Sequence, residues 1–512
     1  MSDSEKKEHS DNVDVESSFV GDLSGLTGIE YERAQLLANL PDPDAGKTDE
    51  ERKAIDRKLM WKVDLWLIPW LSLLYLLSFL DRTNIGNARL EGMEADLGMV
   101  TGDYNMALTI FFIGYAIAEP ITNTILKRFT PRIFFTGIII LWGIIMTLMG
   151  LVKNNAGLLA ARWFLGIAEA GLFPGVNYYL SCWYKSSEIG RRSAIFFSAA
   201  ALAGSFGGLL AAAIAQMDGI GGMPGWSWIF IIEGLATVFA GIFCWWLVFD
   251  WPETARFLSP DDRIRMQRRL ILDRQGRTAE DFDKRYIYEA LKDWKTYGYM
   301  VIYMGCLTPL YAFSLFLPTI LRAMGYAGTQ AQLHSVPPYA VAATCTVLVG
   351  FYADRTRWRG YCNIATVVLA IIGFVMLMAT SNPRVQYAGT FLGAAGIYPT
   401  ISNTLSWINN NVEGSLKRAF VLGMVVGWGN LNGVVSSNIY LDRENPRYWT
   451  GHGVVLAYLV LFLFGGSIFM HVALRISNRN RKAGKLDAKW AEMTDEQRWI
   501  AGDKRPDFVY TL

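Results

Sequence analysis

Histidine and cysteine are scarce, with four and five copies among 512 residues. The cysteines, Cys182, Cys244, Cys306, Cys345 and Cys362, show no Cys-x-x-Cys spacing and fall in or beside apolar runs, which argues against a disulfide framework or a zinc site. Charged residues make up 18% of the chain, below the roughly 25% usual in soluble domains. A net charge of +2, segregated by loop, says little about partners, and no nucleic acid is expected among them. No phosphate-binding glycine loop, metal cluster or nucleophile-base arrangement is found, so no enzyme, cofactor or metal is expected.

Apolar residues are abundant: 52% of the chain is hydrophobic, and it holds 18 Trp. That is more apolar surface than a soluble fold of this length buries, which makes a lipid bilayer the expected surroundings. Windows of about 20 apolar residues predict twelve spans, near 63–86, 104–126, 133–152, 156–182, 193–217, 227–249, 298–321, 333–352, 362–380, 385–409, 418–440 and 453–475. The expected fold is an all-α membrane protein with twelve transmembrane helices. The strongly polar start reads as lacking a cleavable signal peptide.

Lysine and arginine orient the spans. The short loops after spans 2, 4, 8 and 10 hold eleven of them, from Lys127 to Arg418, against six in the odd-numbered loops. Both termini are therefore expected in the cytosol. Residues 1–60, with fifteen acids and eight bases, read as a mostly disordered cytosolic tail in which only Glu50 to Met60 is ready to form a helix. Six spans follow in 61–250. A mixed-charge linker over 251–297 suggests amphipathic helices on the cytosolic face, residues 298–476 hold the second six spans, and 477–512 form a cytosolic C-terminal tail.

The two sets of spans repeat. Gly171-Leu172-Phe173-Pro174 recurs as Gly396-Ile397-Tyr398-Pro399, a shift of 396 − 171 = 225 residues. The same shift carries Arg192 onto Lys417, Gly204 onto Gly429 and Gly208 onto Gly433. Such a repeat predicts two pseudo-symmetric six-helix bundles, the architecture of the major facilitator fold. Glu169 has no acidic counterpart, so the charge chemistry concentrates in the first half.

Charged groups inside an apolar span cost several kcal/mol and mark functional sites by default. Asp81 and Arg82 are adjacent in span 1 and point about 100° apart. Arg162 and Glu169 lie seven residues apart on nearly one face of span 4. An arginine fork suits a carboxylate, which assigns Arg82 and Arg162 to anion binding. A carboxyl group desolvated in a bilayer can load and release a proton, which assigns Asp81 and Glu169 to proton coupling. The structural alternative is that Asp81 with Arg162, or Arg82 with Glu169, forms a buried ion pair. Glu119, beside Pro120 in span 2, is a third intramembrane acid with equal claims to a structural and a proton-coupling role.

Other polar groups carry weaker signals. Glu233 reads as an interfacial hydrogen-bonding group. Trp226, Trp228, Tyr297, Tyr299 and Tyr448 read as membrane-interface anchors, and His334 and His452 as polar boundary residues. Gly204-Ser205-Phe206-Gly207-Gly208 and Gly429-Asn430-Leu431-Asn432-Gly433 allow close helix contact. Asn403, Asn430 and Asn432 could also reach a central substrate, and Tyr115 and Phe173 would supply apolar and aromatic walls.

Gly350-Phe351-Tyr352-Ala353-Asp354-Arg355-Thr356-Arg357-Trp358-Arg359 resembles the Gly-x-x-x-Asp-Arg-x-x-x-Arg loop of the major facilitator superfamily. The first-half copy is eroded to Lys127-Arg128-Phe129-Thr130-Pro131-Arg132. The resemblance implies a cytosolic gate built on Asp354, Arg355 and Arg359, made and broken as the halves rock. Asp81-Arg82-Thr83-Asn84-Ile85-Gly86-Asn87-Ala88, the Arg162-to-Gly175 stretch and Trp251-Pro252-Glu253-Thr254-Ala255-Arg256-Phe257-Leu258 are similar to the fungal allantoate permease family within the anion:cation symporters. Met324-Gly325-Tyr326, Asn445-Pro446-Arg447-Tyr448 and the Asp503-to-Tyr510 tail look most like fungal nicotinic acid permeases.

These resemblances imply a monomeric, plasma-membrane importer that takes up a small organic anion together with a proton, nicotinate being one such anion. Two other readings stay open. One is a carrier or exporter of another carboxylate metabolite serving a biosynthetic pathway, and the other is a non-transporting nutrient receptor.

Overall fold

The computed structural model describes residues 36–126, 128–272, 284–326, 328–486, 490–494, 502–506 and 508–512. Expectations for residues 1–35, Lys127, the middle of the linker (273–283) and Asp507 lie outside the described residues. The chain is helical almost throughout. Its crossings are α1 (Asp49–Leu90), α2 (Asp103–Leu126), α3 (Pro131–Met149), α4 (Asn155–Ser181), α5 (Ser186–Ile214) and α6 (Gly225–Leu247). They are followed by α7 (Trp294–Ala323), α8 (Gly328–Thr356), α9 (Arg359–Ala379), α10 (Pro383–Asn411), α11 (Ser415–Leu431, continued by Gly433–Asn438) and α12 (Trp449–Lys482). Ten of these crossings are apolar enough to span a membrane on composition alone. The other two, α2 and α10, lie outside that set, which was drawn from the described residues alone.

The first helix is longer than expected. The surface helix anticipated at Glu50–Met60 and span 1 are one continuous helix of 42 residues, opened by a capping box in which Thr48 and Glu51 satisfy each other's backbone N–H groups. We call the end where α1 starts and α12 finishes basal, and the opposite end distal. Residues 36–48, expected to belong to a disordered tail, instead pack at the basal end. Leu37 is buried, and Asp44 pairs with Arg265 at 2.9 Å on the linker helix Pro260–Leu272. Arg269 of that helix pairs with Glu188 of α5 and, at 2.7 Å, with Asp56 of α1. The second linker helix, Lys284–Lys292, leads into α7.

Packing follows the internal repeat. A Cβ at Gly171 would lie 2.7 Å from Phe134 of α3, and one at its repeat partner Gly396 would lie 2.4 Å from the Ala370 backbone of α9. Both positions need glycine because a neighbouring helix crosses there. Gly208 of α5 meets the Gln332 backbone of α8, while Gly433 meets Phe112 of α2. The α5–α8 and α2–α11 seams are thus equivalent, and they hold the two bundles together.

The C-terminal segment is built into the second bundle. Asp503, fully buried, accepts from Lys295 at 2.5 Å and from Lys417 at 2.7 Å, while Lys417 also pairs with Asp293 at 2.9 Å. Trp407 and Asn411 of α10 donate to the Thr511 carbonyl at 2.8 and 3.0 Å. Arg481 of α12 donates to the Phe508 and Asp503 carbonyls. Burial alone would raise the Asp503 carboxyl, but Lys295 and Lys417 outweigh it and hold it down at about 2.

Candidate functional site

The bundles touch at both ends and leave a small cavity between them. At the distal end Gln332 donates to Glu91 at 2.9 Å, Arg89 pairs with Asp442 at 2.8 Å, and Asn438 donates to Thr109 at 2.8 Å. At the basal end Asp354, paired with Arg359, presses on the start of α5, where a Cβ on Gly190 would sit 2.4 Å from the carboxylate. Arg355 is exposed there, whereas Arg359 is buried. The water-accessible volume of the cavity between these contacts is about 20 Å³, room for about one water molecule. This is a closed form, and any larger guest requires the bundles to part.

Seven helices wall the cavity: α1 with Tyr75, Phe79 and Arg82, α2 with Tyr115, α4 with Phe173, α5 with Phe197, α7 with Tyr303 and Tyr311, α10 with Tyr398, and α11 with Asn430. Tyr75 stacks on Phe196 at 4.3 Å and meets Phe197 edge-on at 5.5 Å. One side of the cavity is therefore a box of ring faces suited to a flat apolar body.

Arg82 supplies the charge. Its Nη2 lies 2.5 Å from Glu169 Oε1, and its Nη1 donates to the Tyr311 hydroxyl at 3.0 Å. Four rings, Phe79, Phe111, Tyr115 and Tyr311, surround the guanidinium with centroids at 5.1 to 5.7 Å. The Tyr311 hydroxyl in turn donates to Asn430 Oδ1 at 2.6 Å, and Asn430 Nδ2 reaches Glu119 Oε2 at 3.4 Å. A polar chain thus runs from α1 through α7 and α11 of the second bundle and back to α2 of the first. Ser78 donates to the same Glu169 oxygen that binds Arg82.

Arg162 has another arrangement. It is buried, its guanidinium lies over Phe111 at 4.8 Å, and its Nε donates to the Ala107 carbonyl at 3.4 Å. Among the described residues no carboxylate is its salt-bridge partner, and its Nη1 has no hydrogen-bond partner. Of the two ion pairs weighed in the sequence, the structure contains Arg82 with Glu169 and not Asp81 with Arg162. Asp81 points the other way, where its Oδ2 accepts from Trp142 of α3 and Thr237 of α6, both at 2.8 Å. The 100° step between adjacent residues of a helix puts Arg82 in the cavity and Asp81 behind it.

Several expectations need correction. Asn432 lies off the cavity, donating to the Trp428 carbonyl at 2.8 Å and accepting from Tyr458. Asn430, two residues earlier on α11, is the one that faces inward. Asn403 donates to Asn363 and to the Arg359 carbonyl, both at 2.7 Å. It braces Arg359 at the basal end and not the cavity. Glu233 is no interfacial group: it is 3% exposed and accepts from Asn84 at 2.8 Å. His452 is buried against Tyr440 at 3.0 Å. Trp226, Tyr299 and Tyr448 are likewise buried, each being an aromatic whose polar atom or ring finds a partner inside.

Tyr75, Tyr303, Tyr311 and Tyr398 were not singled out from the sequence. For Tyr398 a signal existed, since it is the repeat partner of Phe173 and both line the cavity. The other three are tyrosines within apolar spans, which composition does not separate from core aromatics.

A twelve-helix bundle in two related halves, closed around a charged central cavity, is the build of a secondary transporter. The chain belongs to the major facilitator superfamily, whose family model matches residues 71–437. It is 35% identical to the MFS-type transporter cnsO of Penicillium expansum, over 100% of this chain and 98% of that one. It is 29% identical to the high-affinity nicotinic acid transporter of Saccharomyces cerevisiae, over 96% and 92% of the two chains. Among solved structures, the proton:xylose symporter XylE bound to 6-bromo-6-deoxy-D-glucose superimposes with a TM-score of 0.59 at 14% identity, covering 79% of this chain and 95% of that one. That likeness shows the fold. The protein is a multi-pass membrane transporter and not an enzyme.

Proposed function

We propose that this transporter takes up a small organic anion, a carboxylate of the nicotinate type, together with a proton across the plasma membrane, with both termini in the cytosol. The observation that carries this reading is the Arg82–Glu169 pair on the cavity wall. Arg82 keeps its charge at any working pH, so an incoming carboxylate must compete with Glu169 for it. A proton on Glu169 removes the competitor. Anion and proton then load together, and loss of either restores the internal pair. Arg162, with an unpartnered Nη1 beside the same ring of Phe111, offers the second hold on the anion. Glu119 and Asp81 are further proton sites in this scheme. Asp354, Arg355 and Arg359 form the basal gate. The concentration of Lys and Arg in the basal loops supports the orientation.

A ring-bearing carboxylate suits the aromatic box around Tyr75, and the relative named for nicotinic acid supports nicotinate itself. The higher identity to a Penicillium transporter whose name specifies no cargo favours keeping a second reading, a carrier of another carboxylate moving in either direction. Uptake of labelled nicotinate into proteoliposomes, with and without an imposed proton gradient, tests the proposal. Nicotinate is expected to accumulate only with the gradient, and unlabelled nicotinate to compete far better than nicotinamide, which lacks the charge. Equal competition by acid and amide would overturn the anion site. Accumulation indifferent to the gradient would overturn the coupling.

A further inference from the structure

Behind α1, on the side away from the cavity, two carboxyl groups are buried without a cationic partner among the described residues. Asp81 is 0% exposed and Glu233 is 3% exposed. They come from facing helices in matched register. Asp81 and Asn84 lie one turn apart on α1, Thr237 and Glu233 lie one turn apart on α6, and each bonds across, Thr237 to Asp81 and Asn84 to Glu233, both at 2.8 Å. The carboxyls are therefore about one turn, ~5 Å, apart.

Three acceptor oxygens in this cluster, Asp81 Oδ1, Asn84 Oδ1 and Glu233 Oε1, have no hydrogen-bond donor among the described residues. Asn84 is itself fully buried, its amide nitrogen donating to Glu233 Oε2 while its oxygen has no donor among the described residues. Among the described residues no base pairs with either carboxyl group. Within α6, Glu233 is the one charged residue, and the titratable Cys244 lies two to three turns away. Arg132, the only charge on α3, sits at its basal end, bonded to Val248 and Asp250. The charges of α5, Glu188, Arg191 and Arg192, lie in its first two turns. Of the remaining charges nearby, Arg82 is held by Glu169 across the cavity side of α1, and Arg162 lies over Phe111 on that same side.

We propose that Asp81, Glu233 and Asn84 form a separate proton-binding site, in which protons on the two carboxyls supply the donors that the three oxygens lack. Two bare carboxylates this close in an apolar layer would each carry an uncompensated desolvation cost, whereas two carboxylic acids satisfy the count of acceptors and leave no charge. Each loading step forms one O–H bond between a solvent proton and Asp81 Oδ1 or Glu233 Oε1, and lowers the negative charge of the site by one. The site extends the proton-coupling part of the proposed function, since Asp81 shares a turn of α1 with Arg82. Its existence does not depend on which substrate is carried.

Infrared spectroscopy of the purified full-length protein in lipid nanodiscs reads protonated carboxyl groups directly and needs no substrate. In Na⁺-free buffer at neutral pH, a carboxylic acid C=O band is expected to weaken in Glu233→Gln, to weaken further when Asp81→Asn is added, and to shift in Asn84→Leu. Glu233→Gln should also melt within a few degrees of the parent, because an amide replaces a neutral acid without stranding a charge. An unchanged band in Glu233→Gln would overturn the proposal. So would a band lost on adding Na⁺ at fixed pH, which would make the site one for a metal cation. Failure of Glu233→Gln to fold while Glu233→Asp folds would overturn it equally, since a carboxylate would then be what the native state holds. Failed nicotinate transport leaves all these readouts intact, so the two proposals fail separately.

Discussion

Arg82 Nη2 and Glu169 Oε1 lie 2.5 Å apart, joining α1 to α4 at the wall of the central cavity. A buried ion pair is costly to break by removing one partner, ~3–5 kcal/mol, yet a carrier can use that cost if its cargo replaces the lost partner once per cycle.

Glu169→Gln should abolish uphill accumulation driven by a pH gradient, because Gln keeps the shape without titrating. Exchange of internal for external substrate, which needs no net proton movement, should persist. Tracer counterflow and gradient-driven uptake measured on the same proteoliposomes separate the two. Undiminished accumulation would remove Glu169 from the coupling step.

Arg162→Lys keeps the charge and loses the planar fork. A carboxylate held by that fork should bind about 1–3 kcal/mol more weakly, with each ~1.4 kcal/mol a tenfold rise in apparent Kd. Unaltered affinity in the folded variant would leave Arg162 with a helix-packing role only.

Tyr311→Phe deletes the hydroxyl that links Arg82 of one bundle to Asn430 of the other. Two buried partners lose a bond, at about 1–3 kcal/mol each, so the closed form should lose population. Faster hydrogen exchange along α7 and α11 checks this, and protection equal to the parent would show that the link does not hold the bundles together.

The basal cluster has its own pH dependence. Asp503 is depressed from 3.8 to about 2, so its contribution to stability is present above about pH 4 and is lost as pH falls towards 2. Asp503→Asn should remove that acid-sensitive component and lower the melting midpoint at neutral pH, because Lys295 and Lys417 then share Asp293 alone. Parallel melting curves against pH for parent and variant would contradict the assignment.

The helices and their number were legible in the sequence because hydropathy over twenty residues is set by the bilayer, not by neighbouring helices. The internal repeat was legible for the same reason that it persists: Gly171 and Gly396 each sit where a helix crosses. What hydropathy cannot convey is which way a side chain points. Asp81 and Arg82 were both recognised as important, but only packing against Trp142 and Thr237 separates the group behind α1 from the one in the cavity. Glu233 was misplaced because position along a span indicates depth and says nothing of a partner such as Asn84, 149 residues earlier. Asn430 and Asn432 were equivalent candidates until α11 acquired a rotational setting.

The docked C-terminal segment has a consequence for biosynthesis. Lys295 and Lys417 precede Asp503 by 208 and 86 residues. At about 5–20 residues per second, a ribosome leaves Lys417 waiting roughly 4 to 17 s for the carboxylate that completes its neutralisation. During that interval two ammonium groups at the basal edge of the second bundle share Asp293 alone. All twelve crossings can already be in the membrane while this bundle is electrostatically unfinished, and the arrival of Asp503 converts a threaded chain into a latched one. A nonsense change between Lys482 and Asp503 would therefore spare every transmembrane helix and still present the cell's quality control with an unassembled protein.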